Sequence, residues 1–310
     1  MNRRHFLKVI GLSTLPSCRE ETKIHTFSSI AFGTDIHFKT HGISSALFRK
    51  ICNSSSQRLA EIEALFSLYQ PESAISRLNR NGFLENPDSE FFQLLHTALT
   101  ISETTGGLFD PTVQPLWEYR QNWKNADLVQ RAELKKHTWQ TALSLVDYRK
   151  IRLNRNRVDF TKPGMAITLN GIVQGYASDE IRSLLRKAGV ENALVNIGEY
   201  AALGTAPDGK PWSVEIRGKN SSRLITRDLR PNSAIAVSAG YGHVFDPEGR
   251  LHHIFHPSDG KTPNVNSTIV TEAPSATLAD ALSTALVTAT PIERDRISHS
   301  FPNMIFTEFL

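Results

Sequence analysis

The sequence predicts an α+β fold, a single large domain of mixed antiparallel sheet and helices. Three observations lead there. Residues 44–66, 91–105 and 276–289 carry apolar side chains at helical spacing. Short alternating segments at 193–197, 212–217, 224–229 and 234–238 are punctuated by Gly198, Gly204, Asp208-Gly209 and Gly240, as strands joined by turns are. Helices and hairpins mix without regular βαβ alternation, which argues against a parallel doubly wound sheet.

Composition sets the outer limits. A chain of 310 residues with 40% hydrophobic content has core enough for one large domain or two modest ones. Its formal charge of +4 falls to near +1 once Arg3, Arg4 and Lys8 leave with a cleaved leader. No basic stripe interleaves with aromatics, so nucleic acid is not an expected partner.

Residues 1–18 (MNRRHFLKVIGLSTLPSC) have a basic start, an apolar run and small or turn residues before Cys18. Arg3-Arg4-His5-Phe6-Leu7-Lys8 resembles a twin-arginine export signal, and Leu15-Pro16-Ser17-Cys18 a lipobox. The expectation is an exported protein on the periplasmic side of the bacterial inner membrane, anchored through a lipidated Cys18. A plain signal peptide cut nearby is the alternative. No later apolar run reaches membrane-spanning length. Cys52 is then the one cysteine left for the folded part, too few for an internal disulfide.

Residues 19–29 are polar and read as a tether to a domain over 30–310. Residues 30–38 read as a first strand, with Gly33 marking a close backbone approach. In 44–66 the apolar positions Phe48, Ile51, Leu59, Ile62, Leu65 and Phe66 make an amphipathic helix. Residues 67–80 read as a surface loop with a short helical turn. The helix over 91–105 stops at Gly106-Gly107, a C-cap signal. Asp110, before Pro111, must be extended or in a turn. Residues 126–148 read as largely helical, and 150–160 as a hairpin placing Ile151 and Leu153 against Val158 and Phe160.

Residues 165–169 read as a strand running into Asn170-Gly171 and a helix, a place where backbone N–H groups can face an anion. His252, His253 and His256 precede a turn-rich loop, but their spacing fits no standard zinc pattern and no cysteine joins them. Strands over 267–272 and 304–309 complete the sheet.

The helix over 276–289 is the most informative stretch. Leu278, Leu282 and Leu286 recur every four residues, while Asp280, Thr284 and Thr288 fall on one face. One reading is a capping-box variant, Thr277 to Asp280, with the polar stripe in water. The other is a carboxylate and a hydroxyl one turn apart that offer oxygens to a hard cation such as Mg²⁺.

Six blocks in order resemble the ApbE family of FAD:protein FMN transferases: Phe32-Gly33-Thr34; 65–79 (LFSLYQPESAISRLN); 107–116 (GLFDPTVQPL); 170–179 (NGIVQGYASD); 253–263 (HIFHPSDGKTP); and 279–285 (ADALSTA). The resemblance implies an enzyme that uses Mg²⁺ and takes FAD as substrate. A Thr or Ser hydroxyl of a target redox protein attacks the FMN phosphorus, and AMP leaves. It implies Asp280 and Thr284 as Mg²⁺ ligands with the Gly171 carbonyl. It implies Tyr69, Leu108, Phe109, Asp110 and Gln174 around FAD, with Phe32 near the flavin or adenine and Asp110 accepting hydrogen bonds from it. His253 is the candidate base, as a neutral imidazole poised near pH 7, with a structural histidine as its alternative. An FAD pyrophosphatase and a non-catalytic flavin-binding lipoprotein remain as other readings.

The chain departs from the family pattern at Thr168 (usually Asp), Asn170 (usually Gly) and Gln174 (often Lys or Glu). Glu199-Tyr200 stands where a second Gly and an acid are usual, His256 replaces an Asp, and Ser238-Ala239-Gly240 sits where a Ser-Gly pair is typical.

Overall fold

The computed structural model describes residues 23–126, 138–217, 224–246 and 248–309; residues 1–18, with the export signal and Cys18, lie outside them. Strand β1 (Ile24–Ala31) turns back into β2 (Thr34–His41) with Ala31 opposite Thr34. Phe32 and Gly33, at φ 53° and 72°, form the two-residue turn. Two successive left-handed residues are what a tight hairpin requires. The single strand expected over 30–38 is therefore broken, and residues 24–29, expected in a tether, pair in the sheet. Nothing lies within 4 Å of a Cβ at Gly33, so it serves the turn and not a close approach.

Helix α1 (Ser45–Phe66) starts where the Ser44 side chain accepts from Leu47 N–H and buries Ile51, Ser55, Leu59, Ile62 and Phe66. In residues 67–80, expected as a surface loop with a short helical turn, the helical part is longer: α2 (Ala74–Asn81) begins there, capped by Ser73 and ended by Gly82 at φ 77°. β3 (Phe83–Glu85) follows, then α3 (Ser89–Thr104). Gly106 and Gly107, at φ 68° and 84°, end α3 as the glycine pair predicts; Gly107 N–H reaches back to Ser102 O at 2.7 Å. A 3₁₀ turn (Pro111–Val113) leads into α4 (Gln114–Asn125), which the sequence reading had not marked as a helix. In the span expected to be largely helical, α5 (Trp139–Leu143) is the helix among the described residues, and 127–137 lie outside them. β4 (Ile151–Asn154) and β5 (Arg157–Phe160) form the expected hairpin, with β3 added on β5.

Residues 165–169 are not a strand. Their backbone groups are met by other means: Asn79 gives Nδ2–H to Ile167 O and accepts Ile167 N–H, both at 2.8 Å, and Thr168 N–H donates to Pro111 O. The Asn79 amide takes the place of a neighbouring strand. α6 (Asn170–Lys187) then begins with a kink at Gly171.

β6 (Asn192–Asn196), β7 (Tyr200–Leu203), β8 (Trp212–Arg217), β9 (Leu224–Leu229), β10 (Ala234–Ala239) and β11 (Thr268–Ala273) lead to α7 (Ala276–Thr288), α8 (Pro291–Ser300) and β12 (Ile305–Phe309). The main sheet is antiparallel throughout, in the order β1-β2-β6-β7-β10-β11-β12. Trp212, Val214, Ile216 and Leu229 of the β8–β9 hairpin pack with Leu194, Ala202, Ile235 and Val270 of the sheet. The helices bury a second, larger core that includes Val195, Ala201, Ile269, Leu282 and Leu286.

Helices α6 and α7 pack without a gap. A Cβ on Gly175 would stand 2.2 Å from Ala276 O and 2.8 Å from the Asp280 Cβ. Asp179 caps α7 from its neighbour, accepting Ala276 N–H, Thr277 N–H and the Thr277 hydroxyl at 2.7–3.0 Å. Gly175→Ala is expected to cost about 1–3 kcal/mol through overpacking, read as a lower Tm in thermal unfolding. An unchanged Tm would mean that the two helices separate without cost.

Candidate active site

Where α6 begins beside α7, residues of α2, α4 and β10 and of the loops around Tyr69, Asp110, Glu199 and His253 line a cavity of about 790 Å³. That is within the range of small-molecule and cofactor sites. Leu108, Phe109, Asp110, Gly171, Gln174, His253, Asp280 and Thr284 all line it, with Tyr69 at its mouth, 75% exposed. Phe32 does not. It lies in an adjoining recess of about 90 Å³ that shares Leu68, Tyr69, Asn170 and Gln174 with the main cavity. Its N–H donates to Glu63 Oε1 at 2.8 Å.

Asp280 decides between the two readings of the polar stripe on α7. It is 4% exposed, and its Oδ2 accepts Gly175 N–H at 3.0 Å. The N-cap of α7 is Ser275, whose side chain accepts from Leu278 N–H, so no capping box forms between Thr277 and Asp280. Asp280 and Thr284 of the stripe face the cavity and α6, not water. Thr284 lies against Gly171, where a Cβ would come within 3.0 Å of the Thr284 Oγ1. Thr288 falls outside the cavity and donates to Ala285 O.

A carboxylate, a hydroxyl and the start of a helix thus meet at one point, with hard oxygen donors of the kind Mg²⁺ prefers. The electrostatics agree. Asp110, Glu118, Glu199 and Asp280 line the cavity, and among its described lining residues there is no lysine or arginine. Burial pushes Asp280 up to about 7, and burial followed by the Asp280 charge pushes Glu199 well above the carboxylate range. Two buried carboxylates without a cationic neighbour are costly, and a divalent cation between protein oxygens answers that cost. The residues fit the metal that the sequence pattern implies.

His253 is held by its main chain and ring to one residue: its N–H donates to His243 O at 3.1 Å and its Nδ1 to the same carbonyl at 3.2 Å. That bond selects the tautomer and leaves Nε2 as the acceptor. The expectation of a group poised near pH 7 is corrected here. Burial drives His253 down to about 4, so its neutral form persists throughout the physiological range. His252 plays a different part, buried and bonded to Pro263 O at 2.9 Å and Ile254 N–H at 3.3 Å. His256 meets Ser258 and Asp259. The three histidines form no common site.

Asp110 lines the cavity with both oxygens engaged. Oδ1 accepts Thr112 N–H and the Thr112 hydroxyl, and Oδ2 accepts Tyr148 N–H at 3.0 Å. Burial raises it to about 6. Its main work is to cap the Pro111–Val113 turn, leaving only spare lone pairs for a ligand. Gln174 lies over Gly198, where a Cβ would meet its amide at 2.8 Å.

Sequence reasoning did not place Glu199, Ser238, Asn79, Trp117, Glu118 or Phe255 at the site, and all six line the cavity. Glu199 and Ser238 had stood out only as departures from a motif. Asn79 and Phe255 had their signal in the 65–79 and 253–263 blocks; Trp117 and Glu118 carry none.

The sequence matches the ApbE family over residues 32–304. The FAD:protein FMN transferase of Haemophilus influenzae is 28% identical over 294 residues, covering 88% of this chain and 83% of that one. Its Escherichia coli K12 counterpart is 25% identical over 290 residues, covering 89% and 81%. Among solved structures, the ApbE protein of Thermotoga maritima superimposes with a TM-score of 0.77 at 26% identity over 92% of this chain and 94% of that one. The flavin transferase ApbE of Vibrio cholerae shares the fold, with a TM-score of 0.74 at 22% identity over 93% and 97%.

Proposed function

Because the chain belongs to the ApbE family, we propose that it transfers FMN from FAD to a Thr or Ser hydroxyl of a redox protein, releases AMP and requires Mg²⁺. The observation that carries this reading is the meeting of Asp280, Thr284 and His253 in one acid-lined cavity with no lysine or arginine among its described lining residues. A pyrophosphate substrate can enter such a cavity only with a metal to offset its charge.

Asp280 and Thr284 would hold the cation by side-chain oxygens, and Gly171 by its carbonyl. The metal's contribution is to neutralise the pyrophosphate and stabilise the charge that builds during transfer. His253 Nε2 accepts the proton of the acceptor hydroxyl, whose oxygen attacks the FMN phosphorus while the phosphate oxygen of AMP departs. His243 O holds the imidazole in the tautomer that this step needs. Leu108, Phe109, Trp117 and Phe255 give the cavity apolar walls that limit the access of water.

The test is incubation of the purified protein with FAD, Mg²⁺ and membranes from a strain that lacks it, followed by denaturing electrophoresis. Flavin fluorescence that survives denaturation on a membrane protein is the expected result. AMP and free FMN in equal amounts, without a fluorescent band, would replace transfer with hydrolysis. Tight FAD binding without AMP would mean flavin storage.

The export signal and lipobox support placement on the periplasmic side of the inner membrane through lipid on Cys18. No described helix is long and apolar enough to cross a membrane. Cys18→Ser should release the protein from the membrane fraction into the soluble periplasm. Retention of the variant in membranes would refute the anchor.

A further inference from the structure

We propose that Glu199 supplies a second carboxylate to the cation held by Asp280, so that this protein binds its divalent metal before FAD arrives. The inference rests on the metal reading above and adds a further residue to it.

The turn from β6 to β7 fixes Glu199. Gly198 adopts φ 87°, a left-handed conformation suited to glycine, and the Gln174 side chain closes over it. Ser178 Oγ donates to Glu199 O at 2.7 Å and accepts Ile197 N–H at 3.2 Å, locking both sides of the turn. The side chain is 7% exposed, and Val237 N–H donates to its Oε2 at 3.0 Å. It lines the same cavity as Asp280.

Hydroxyls adjoin Thr284 on the sheet side of the cavity. Ser283 Oγ–H donates to Asp280 O at 2.9 Å, so the 2.7 Å bond between Ser283 and Ser238 must carry the Ser238 proton. Ser238 Oγ is left as an acceptor, 3.4 Å from Thr284 Oγ1. Carboxylate and hydroxyl oxygens therefore line one cavity, with no described lysine or arginine in the lining. Gln174, which also lines the cavity, adds no cation. Mg²⁺ is held through one or two carboxylates, with waters and substrate phosphates filling the rest of its shell; a second carboxylate raises the protein's share, so that waters can stand in for the phosphates until FAD binds.

The experiment is a titration of Mn²⁺, a spin-active stand-in for Mg²⁺, into the FAD-free protein, with free Mn²⁺ read by electron paramagnetic resonance. Wild type should bind one ion. Glu199→Gln, which keeps the acceptor for Val237 N–H, should bind on the order of tenfold or more weakly, and Glu199→Asp should fall between the two. Equal affinity in wild type and Glu199→Gln overturns the proposal, as does Glu199→Asp binding no better than Glu199→Gln. Mn²⁺ binding by wild type that appears only with FAD also overturns it while leaving the metal-dependent transferase intact. No Mn²⁺ binding even with FAD removes both.

Discussion

Asp280→Asn should abolish transfer, slowing AMP release on the order of a thousandfold or more, because charge stabilisation by a metal is worth several kcal/mol at a phosphoryl centre. Asparagine keeps an acceptor for Gly175 N–H. The fold should therefore survive, and thermal unfolding in EDTA should stay close to wild type. Asp280→Ala would instead remove the side-chain acceptor of Gly175 N–H as well as the carboxylate, and confuse the two effects. Measurement of AMP release at saturating Mg²⁺ decides the matter. Activity within tenfold of wild type would remove Asp280 from the metal site.

His253→Ala should lower kcat by about 10²–10⁴-fold while Mn²⁺ and FAD binding persist. The pH dependence supplies the second test. A histidine driven down to about 4 by burial is neutral, and able to accept a proton, at every pH above that value. The base is lost only as pH falls through about 4. At saturating Mg²⁺, kcat/KM should therefore hold level from neutrality down to about pH 5 and fall below it, where an unburied histidine would fail near 6.5. A His253→Ala variant with normal kcat would leave His253 with a structural role, as His252 has through Pro263 O.

Local patterns were the ones the sequence disclosed. The four-residue repeat of α7 located Asp280 and Thr284, and the glycine pair after α3 located its end, because helical period and left-handed caps are properties of neighbouring residues. The errors came from partners far along the chain. Residues 165–169 look like a strand until Asn79, 88 positions away from Ile167, is seen to satisfy their backbone. The burial of Asp280 depends on Gly175, 105 positions earlier, through a helix contact with no periodic trace. Glu199 reads only as a departure from a motif until Gly198 and Val237 are seen to hold it at the cavity. The titration of His253 was misjudged for a related reason: the residue type gives a pKa near 6.5, and only the packing removes its water.

The central claim is that this cavity joins FAD cleavage to a protein hydroxyl. The direct measurement is the ratio of AMP released to flavin bound covalently, taken with and without acceptor membranes and with Asp280→Asn as control. One AMP per covalent flavin, with no AMP in the absence of acceptor and none from the variant, is the predicted result. AMP released at the same rate without acceptor, matched by free FMN, would contradict it.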